Sequence, residues 1–330
     1  MPNVFIIGNG FDLDLGLPTH YSDFAKSSFW PKASPMPSQS SNTNYGNVLR
    51  VGHSSNSILL EHYLENKKNL NTWFDLENEL LLYTQVENKR NGKESEYFIE
   101  KNINYYERLQ TSLCEYITDV ERKTTPKDCV ASIVLRAVIA NEYFDQIYSF
   151  NYTSLNKISH ALGFYKDINY THLHGKVEDN SIILGVDDSS LRPGYEMFHK
   201  SSSRYYRSHD LYNALTNAQE IVIFGLSFGN IDYSYFDRFF RSISEGDSIS
   251  EDNKKNITIF TKDDNSRLSI IGKLREMNIG IQRLYAQSHF QIICTIDEKD
   301  KHLVDNFVKR MSDTSRAAFE AKLDSLSSMF

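Results

Sequence analysis

Short apolar runs rich in β-branched and aromatic residues recur at residues 4–7, 146–150, 170–173, 182–184, 221–224, 257–260 and 290–294. Apolar residues at helical spacing separate several of them, over 129–139, 211–218, 233–243, 267–277 and 303–311. This alternation is the strongest constraint on the fold. Parallel neighbours cannot be joined by a tight turn, and a helix is the usual crossover between them. The pattern predicts an α/β protein with a mainly parallel, Rossmann-like sheet and helices on both faces. Ligands of such sheets sit beyond the carboxyl ends of the strands, so the residues that directly follow each run are the first candidates for chemistry.

One stretch breaks the alternation. Between Tyr45 and Lys123, the segments 58–67, 73–87 and 96–122 have helical spacing and few strand formers. They predict a helical insertion (45–123) within a single α/β domain covering 1–330. Residues 34–47, rich in Ser, Pro and Asn, read as a loop, and so do residues 201–207, whose Arg204 and Arg207 could meet phosphate. The amphipathic stretch 315–329 predicts a C-terminal helix docked on the core.

The net charge of −7 argues against a protein whose main work is gripping phosphate backbones, because that task needs a basic surface. Twenty tyrosines and twenty phenylalanines predict large aromatic core contacts. Cys114, Cys129 and Cys294 lie far apart without metal-ligand spacing, so buried thiols in a reducing compartment are expected, and no metal. The chain opens directly on a strand, with no basic-then-apolar leader, and no apolar run is long enough to span a bilayer. A cytoplasmic protein without a membrane partner is expected.

The first run ends in Gly8-Asn9-Gly10-Phe11-Asp12, followed by Gly16-Leu17-Pro18-Thr19. Glycine permits a sharp turn and close approach of a ligand, while an ordinary strand-to-helix turn would read the same way. With Trp73-Phe74-Asp75-Leu76-Glu77, Ser149-Phe150-Asn151-Tyr152-Thr153, His172-Leu173-His174-Gly175 and Gly225-Leu226-Ser227-Phe228-Gly229, these blocks resemble the bacteriophage abortive-infection family AbiH, in family order from residue 4 to about 235. More distantly, their order is similar to the sirtuin-like NAD-binding fold: a glycine turn, an Asn motif, a His-Gly and a late Gly-x-Ser. The resemblance implies antiphage defence and an NAD-directed site. It also implies NAD or a related nucleotide as ligand, and a phage-derived trigger, a defence protein or a second copy of the chain as partner.

Residue by residue, the resemblance implies that Asn151 positions ribose and water and that His174 is the general base. Gly8, Asn9, Gly10, Phe11, Asp12, Pro18, Thr19, Gly175, Gly225 and Ser227 would contact the cofactor. Asp12 replaces the sirtuin serine; a carboxylate there would repel diphosphate but accept hydrogen bonds from ribose hydroxyls. An extended segment sends His172 and His174 to opposite sides, with Gly175 leaving room for a ligand. From the residues alone, Asn151 reads more readily as a turn residue or helix N-cap before Leu155, Asp232 as the N-cap of the next helix, and Glu77 equally as the exposed face of a helix whose Trp73, Leu76 and Leu80 are core. Asp187 and Asp188 read as solvated loop residues. The Gly225-x-Ser227-x-Gly229 pattern lacks an Asp and His in hydrolase order.

Three functions fit this reading. The first is an NAD hydrolase that releases nicotinamide. The second is a nuclease-type toxin, whose Arg204, Tyr205, Tyr206 and Arg207 could hold a single strand by stacking and charge. The third is a catalytically silent nucleotide-binding sensor.

Overall fold

The computed structural model describes residues 2–34, 59–70, 75–87, 96–186, 195–206, 211–229, 232–246 and 250–327. Among them, six strands form one all-parallel sheet: β1 (Asn3–Ile7), β2 (Gln146–Ser149), β3 (Thr171–His172), β4 (Glu220–Phe224), β5 (Lys255–Thr261) and β6 (Ser288–Cys294). Their order is β3-β2-β1-β4-β5-β6. The order reverses between β1 and β4, the position at which open α/β sheets part their strand-end loops.

The chain divides into two compact units. The first comprises Met1–His20, Ile117–Ile182 and Tyr205–Phe330 and carries the sheet; the second comprises Tyr21–Tyr116 and Ile183–Arg204. Between the strands of the first unit run α1 (Asn9–Asp14), α6 (Val130–Asn141), α7 (Leu155–Ala161), α8 (Leu211–Asn217), α9 (Tyr233–Glu245), α10 (Asp264–Glu276) and α11 (Ile281–Gln287), and α12 (Lys301–Ser327) follows β6. The second unit holds α2 (Tyr21–Lys26), α3 (Leu60–Leu70), α4 (Leu76–Glu87) and most of α5 (Glu96–Lys123).

The central strands are buried on both faces, as parallel strands covered by crossover helices must be. Val4, Ile6, Ile221, Ile223, Ile257 and Ile259 pack with Phe236, Phe239 and Phe240 of α9 and Leu274 of α10. On the other side an aromatic row crosses the sheet. Phe11 meets Phe224 edge-on at 5.3 Å, Phe224 stacks on Phe260 at 5.1 Å, and Phe260 meets Phe307 of α12 at 5.1 Å. Thus Phe11 is a core anchor that fixes α1 to the sheet.

The second unit has its own aromatic core, with Tyr83 and Tyr106 against Phe198 at 6.5 and 5.1 Å. The expectation for Glu77 is corrected here. Glu77 is buried, accepts the Gly185 N–H at 3.1 Å and lies 3.6 Å from Nζ of Lys200, which is also buried. Burial raises the Asp75 carboxyl above its usual range. Leu76 and Leu80 are core as expected, whereas Trp73 and Phe74 lie outside the described residues.

Two element expectations are also corrected. Residues 182–184 are buried but form no strand; only Val186 makes an isolated bridge, to His199. Residues 315–327 continue α12 rather than forming a separate helix. No helix among the described residues is long and apolar enough to cross a membrane. Most of the 34–47 loop, Asp187, Asp188 and Arg207 fall outside the described residues.

Candidate functional site

β1 ends at Ile7, and Gly8, in extended backbone, is the N-cap of α1. Asn9 and Gly10 are therefore the first helical residues and not a loop. The Gly8 N–H donates to the Phe224 carbonyl and the Gly10 N–H to the Gly225 carbonyl, each at 2.8 Å. A Cβ on Gly10 would lie 2.6 Å from the Gly225 Cα, and one on Gly225, whose φ is +72°, would lie 2.2 Å from the Phe11 nitrogen. The strand-end turns after β1 and β4 thus interlock backbone to backbone at the reversal point. This contact accounts for the glycines, and it commits their two N–H groups within the protein.

The two halves of the N-terminal motif are joined directly: the Thr19 hydroxyl donates to the Asn9 side-chain oxygen at 2.6 Å. Pro18 and Ser227 are exposed, and Thr19 and Asn9 are half-buried. Gly10, Gly175 and Gly225 of the expected cofactor set are half-buried as well, so Pro18 and Ser227 are its exposed members.

After β2, Asn151 is buried and its amide donates to the Gly8 carbonyl at 3.1 Å, while its own N–H donates to the Ser149 hydroxyl at 3.1 Å. The N-cap reading of Asn151 does not hold, because Ser154 caps α7 by accepting from the Lys157 N–H. Two residues on, the Thr153 hydroxyl donates to Oδ2 of Asp12 at 2.8 Å. Asp12 is buried, and its Oδ1 has no hydrogen-bond donor among the described residues. Burial pushes its carboxyl up to about 7, against smaller opposing contributions from Thr153 and Asn151, with Glu121 adding to the rise. The sequence motif marks Asp12, but nothing in it shows that the side chain turns inward; Thr153 carries no separate signal.

The two histidines have different partners. The His172 Nδ1 lies 3.0 Å from the Asn151 carbonyl and its Nε2 lies 3.2 Å from the Tyr170 hydroxyl. A carbonyl only accepts, so Nδ1 carries the proton and Nε2 accepts from Tyr170. Burial lowers the His172 pKa, which agrees with this neutral form. His172 therefore holds Asn151 from behind. His174 lies beyond the end of β3, buried, edge-on to Phe150 at 5.2 Å, with Nε2 3.5 Å from the Tyr235 hydroxyl. Sequence reasoning missed Tyr235, which sits in the first turn of α9 without a motif to mark it.

Gly175 does not leave an open space. Its φ is +74°, and a Cβ there would lie 1.9 Å from the Ser181 carbonyl oxygen, which fills the position. Asp232 stands at the N-cap of α9, although its side chain makes no capping bond.

These residues thus form one strand-end constellation in the sheet-bearing unit: Gly8, Gly10, Asp12, Asn151, Thr153, His172 and Gly225 through direct contacts, with His174 nearby past β3. A family model described as bacteriophage abortive infection AbiH matches residues 4–250, most of the chain and every element of this constellation. No curated protein matches the sequence.

Proposed function

The chain belongs to the bacteriophage abortive infection AbiH family, and from that membership we propose that it serves abortive infection by hydrolysing NAD at the carboxyl ends of β1, β2 and β3. Water adds to the ribose carbon that carries nicotinamide, the glycosidic bond breaks with its electron pair going to nicotinamide, and the water proton passes to a base. The products are nicotinamide, ADP-ribose and a proton. The transition state has oxocarbenium character, so the site must hold the ribose, place the water and exclude bulk solvent.

One observation carries this reading. Asp12 presents a buried acceptor without a donor at the strand reversal, next to an Asn151 amide fixed by Gly8. A ribose hydroxyl is a donor that would complete it. Burial raises the Asp12 carboxyl to about 7, so a neutral fraction is present near physiological pH, which weakens the repulsion a fixed carboxylate would exert on a diphosphate. In this reading Asn151 orients ribose and water, His174 takes the proton, and the half-buried Asn9 and Thr19 with the exposed Ser227 contact the remainder of the nucleotide.

A second reading, a nucleotide sensor without turnover, draws on the interlocked turns. The Gly8 and Gly10 N–H groups are already bonded to the β4 turn, so these two groups do not serve a phosphate, an arrangement equally suited to binding alone. Nicotinamide release by purified protein separates the two. Release that depends on His174 and Asn151 supports hydrolysis; stabilisation by nucleotides without release supports the sensor.

A further inference from the structure

β6 is the last strand of the sheet, and among the described residues no further strand pairs with its outer edge, which leaves a short and bounded window of backbone groups without partners. In a parallel ladder alternate residues direct both their N–H and C=O groups toward the same neighbour. The Thr295 N–H donates to the Thr261 carbonyl of β5, so the odd-numbered residues of β6 face β5 and the even-numbered ones face outward. Two of the outward residues are already occupied. The Ser288 N–H donates to the Leu284 carbonyl at the end of α11. The Cys294 N–H donates to the Asp300 carboxylate at 2.7 Å, and its carbonyl accepts from the Asp297 N–H at 3.3 Å. That leaves Phe290 and Ile292, whose outward N–H and C=O groups have no partner among the described residues.

Exposed sheet edges are normally guarded by charged side chains, proline or a bulge. The strand Ser288–Cys294 contains no Asp, Glu, Lys, Arg or Pro. Large apolar side chains stand beside it: Tyr285, 49% exposed, meets Phe290 edge-on at 5.2 Å, and Ile296, 61% exposed, follows the strand directly.

We propose that this edge pairs with the same edge of a second copy of the chain, antiparallel, about a two-fold axis through Gln291. Antiparallel neighbours exchange two hydrogen bonds at each bonded pair. With Gln291 opposite Gln291 of the other copy, each Phe290 faces an Ile292. The N–H and C=O of Phe290 and those of Ile292 are then all satisfied, four bonds with none left over. Neither flanking pair, Ser288 nor Cys294, is required, which matches the bounded window. A closed two-fold contact of this kind forms a dimer and stops, since it uses the edge completely.

The geometry sets the test. In this register the two Gln291 residues form a non-bonded pair with Cα atoms roughly 4.5 Å apart, within disulfide range. The two His289 residues lie about 13 Å apart along the strand, beyond it. The full chain is analysed by sedimentation, and Gln291→Cys and His289→Cys are oxidised beside the unaltered protein, which measures any background from the native thiols. The expected result is a dimer in solution, with a covalent dimer of twice the chain mass from Gln291→Cys and only background from His289→Cys. Tyr285→Glu, at a half-exposed flanking position, should shift the sedimenting species toward monomer in a protein that still melts cooperatively; it decides the matter if the cysteine variants do not fold. A wild-type monomer at every attainable concentration, cross-linking by His289→Cys equal to that by Gln291→Cys, or a dimer indifferent to Tyr285→Glu would overturn the proposal.

Discussion

The Thr153 hydroxyl donates to the Asp12 carboxylate at 2.8 Å, tying the turn after β2 to helix α1 inside the core. The carboxyl's second oxygen has no donor within hydrogen-bond distance among the described residues, and the nearby Asn151 amide adds a smaller favourable contribution. Solvent exclusion outweighs both and lifts the Asp12 pKa from 3.8 to about 7. Between those values the folded chain holds a proton that the unfolded chain has released. The stability linked to Asp12 is therefore fully present below 3.8, falls as pH rises through the window, and is lost above about 7. Three pH units correspond to about 4 kcal/mol. Asp12→Asn removes the titration, so its melting temperature should fall less than that of the wild type between about pH 5 and about pH 8. Parallel pH profiles by differential scanning calorimetry check this; identical slopes for the two proteins would contradict it.

The interlocked turns predict a contrast between glycines. Gly10→Ala places a Cβ 2.6 Å from the Gly225 Cα, and backbone cannot yield as a flexible side chain does. A loss of roughly 1–3 kcal/mol is expected. A Cβ on Gly272, within α10, meets nothing within 4 Å, so Gly272→Ala should stabilise by roughly 0.5–1 kcal/mol through helix propensity. Chemical denaturation of both variants measures the difference.

In the second unit, Glu77→Ala removes the carboxylate that lies 3.6 Å from the buried Lys200 ammonium, with Asp75 a remaining negative group, and the Gly185 N–H loses its acceptor. A cost of roughly 3–5 kcal/mol is expected. Replacing both partners, Glu77→Leu with Lys200→Met, should cost much less than the single change. A double-mutant cycle by urea unfolding reads this, and additive losses would contradict the pairing.

The fold was legible because β-branched runs alternate with helical ones, and β1, β2, β4, β5 and β6 fall within one or two residues of the runs that predict them. What was not legible has physical causes. Residues 182–184 are as apolar as a strand, yet they pack without a ladder, and periodicity cannot tell the two apart. α7 and α11, of two turns each, escaped the pattern, although α8 of the same length shows its period at 211–218. Glu77 reads as solvated because its charge is visible in the sequence and Lys200, more than a hundred residues away, is not. The motifs do lie past the ends of β1, β2, β3 and β4, but the sequence could not show that Gly10 and Gly175 make room for the chain's own backbone.

His172 and His174 should respond differently to substitution. His172→Ala removes the contacts to the Asn151 carbonyl and to Tyr170 and should cost roughly 1–3 kcal/mol of stability, with any activity loss following from a displaced Asn151. His174 is buried, so His174→Gln, which preserves volume better than alanine, is the variant that isolates its chemistry. Thermal melts should show the larger shift for His172→Ala.

The most direct test of the proposed function is nicotinamide release from NAD by the purified chain, alone and with lysate from phage-infected cells, measured beside His174→Gln and Asn151→Ala. Hydrolysis predicts nicotinamide and ADP-ribose in equal amounts and a drop of about a hundred- to ten-thousand-fold for His174→Gln in a protein that still melts cooperatively. No NAD consumption under any of these conditions, or undiminished release by folded His174→Gln, would contradict it.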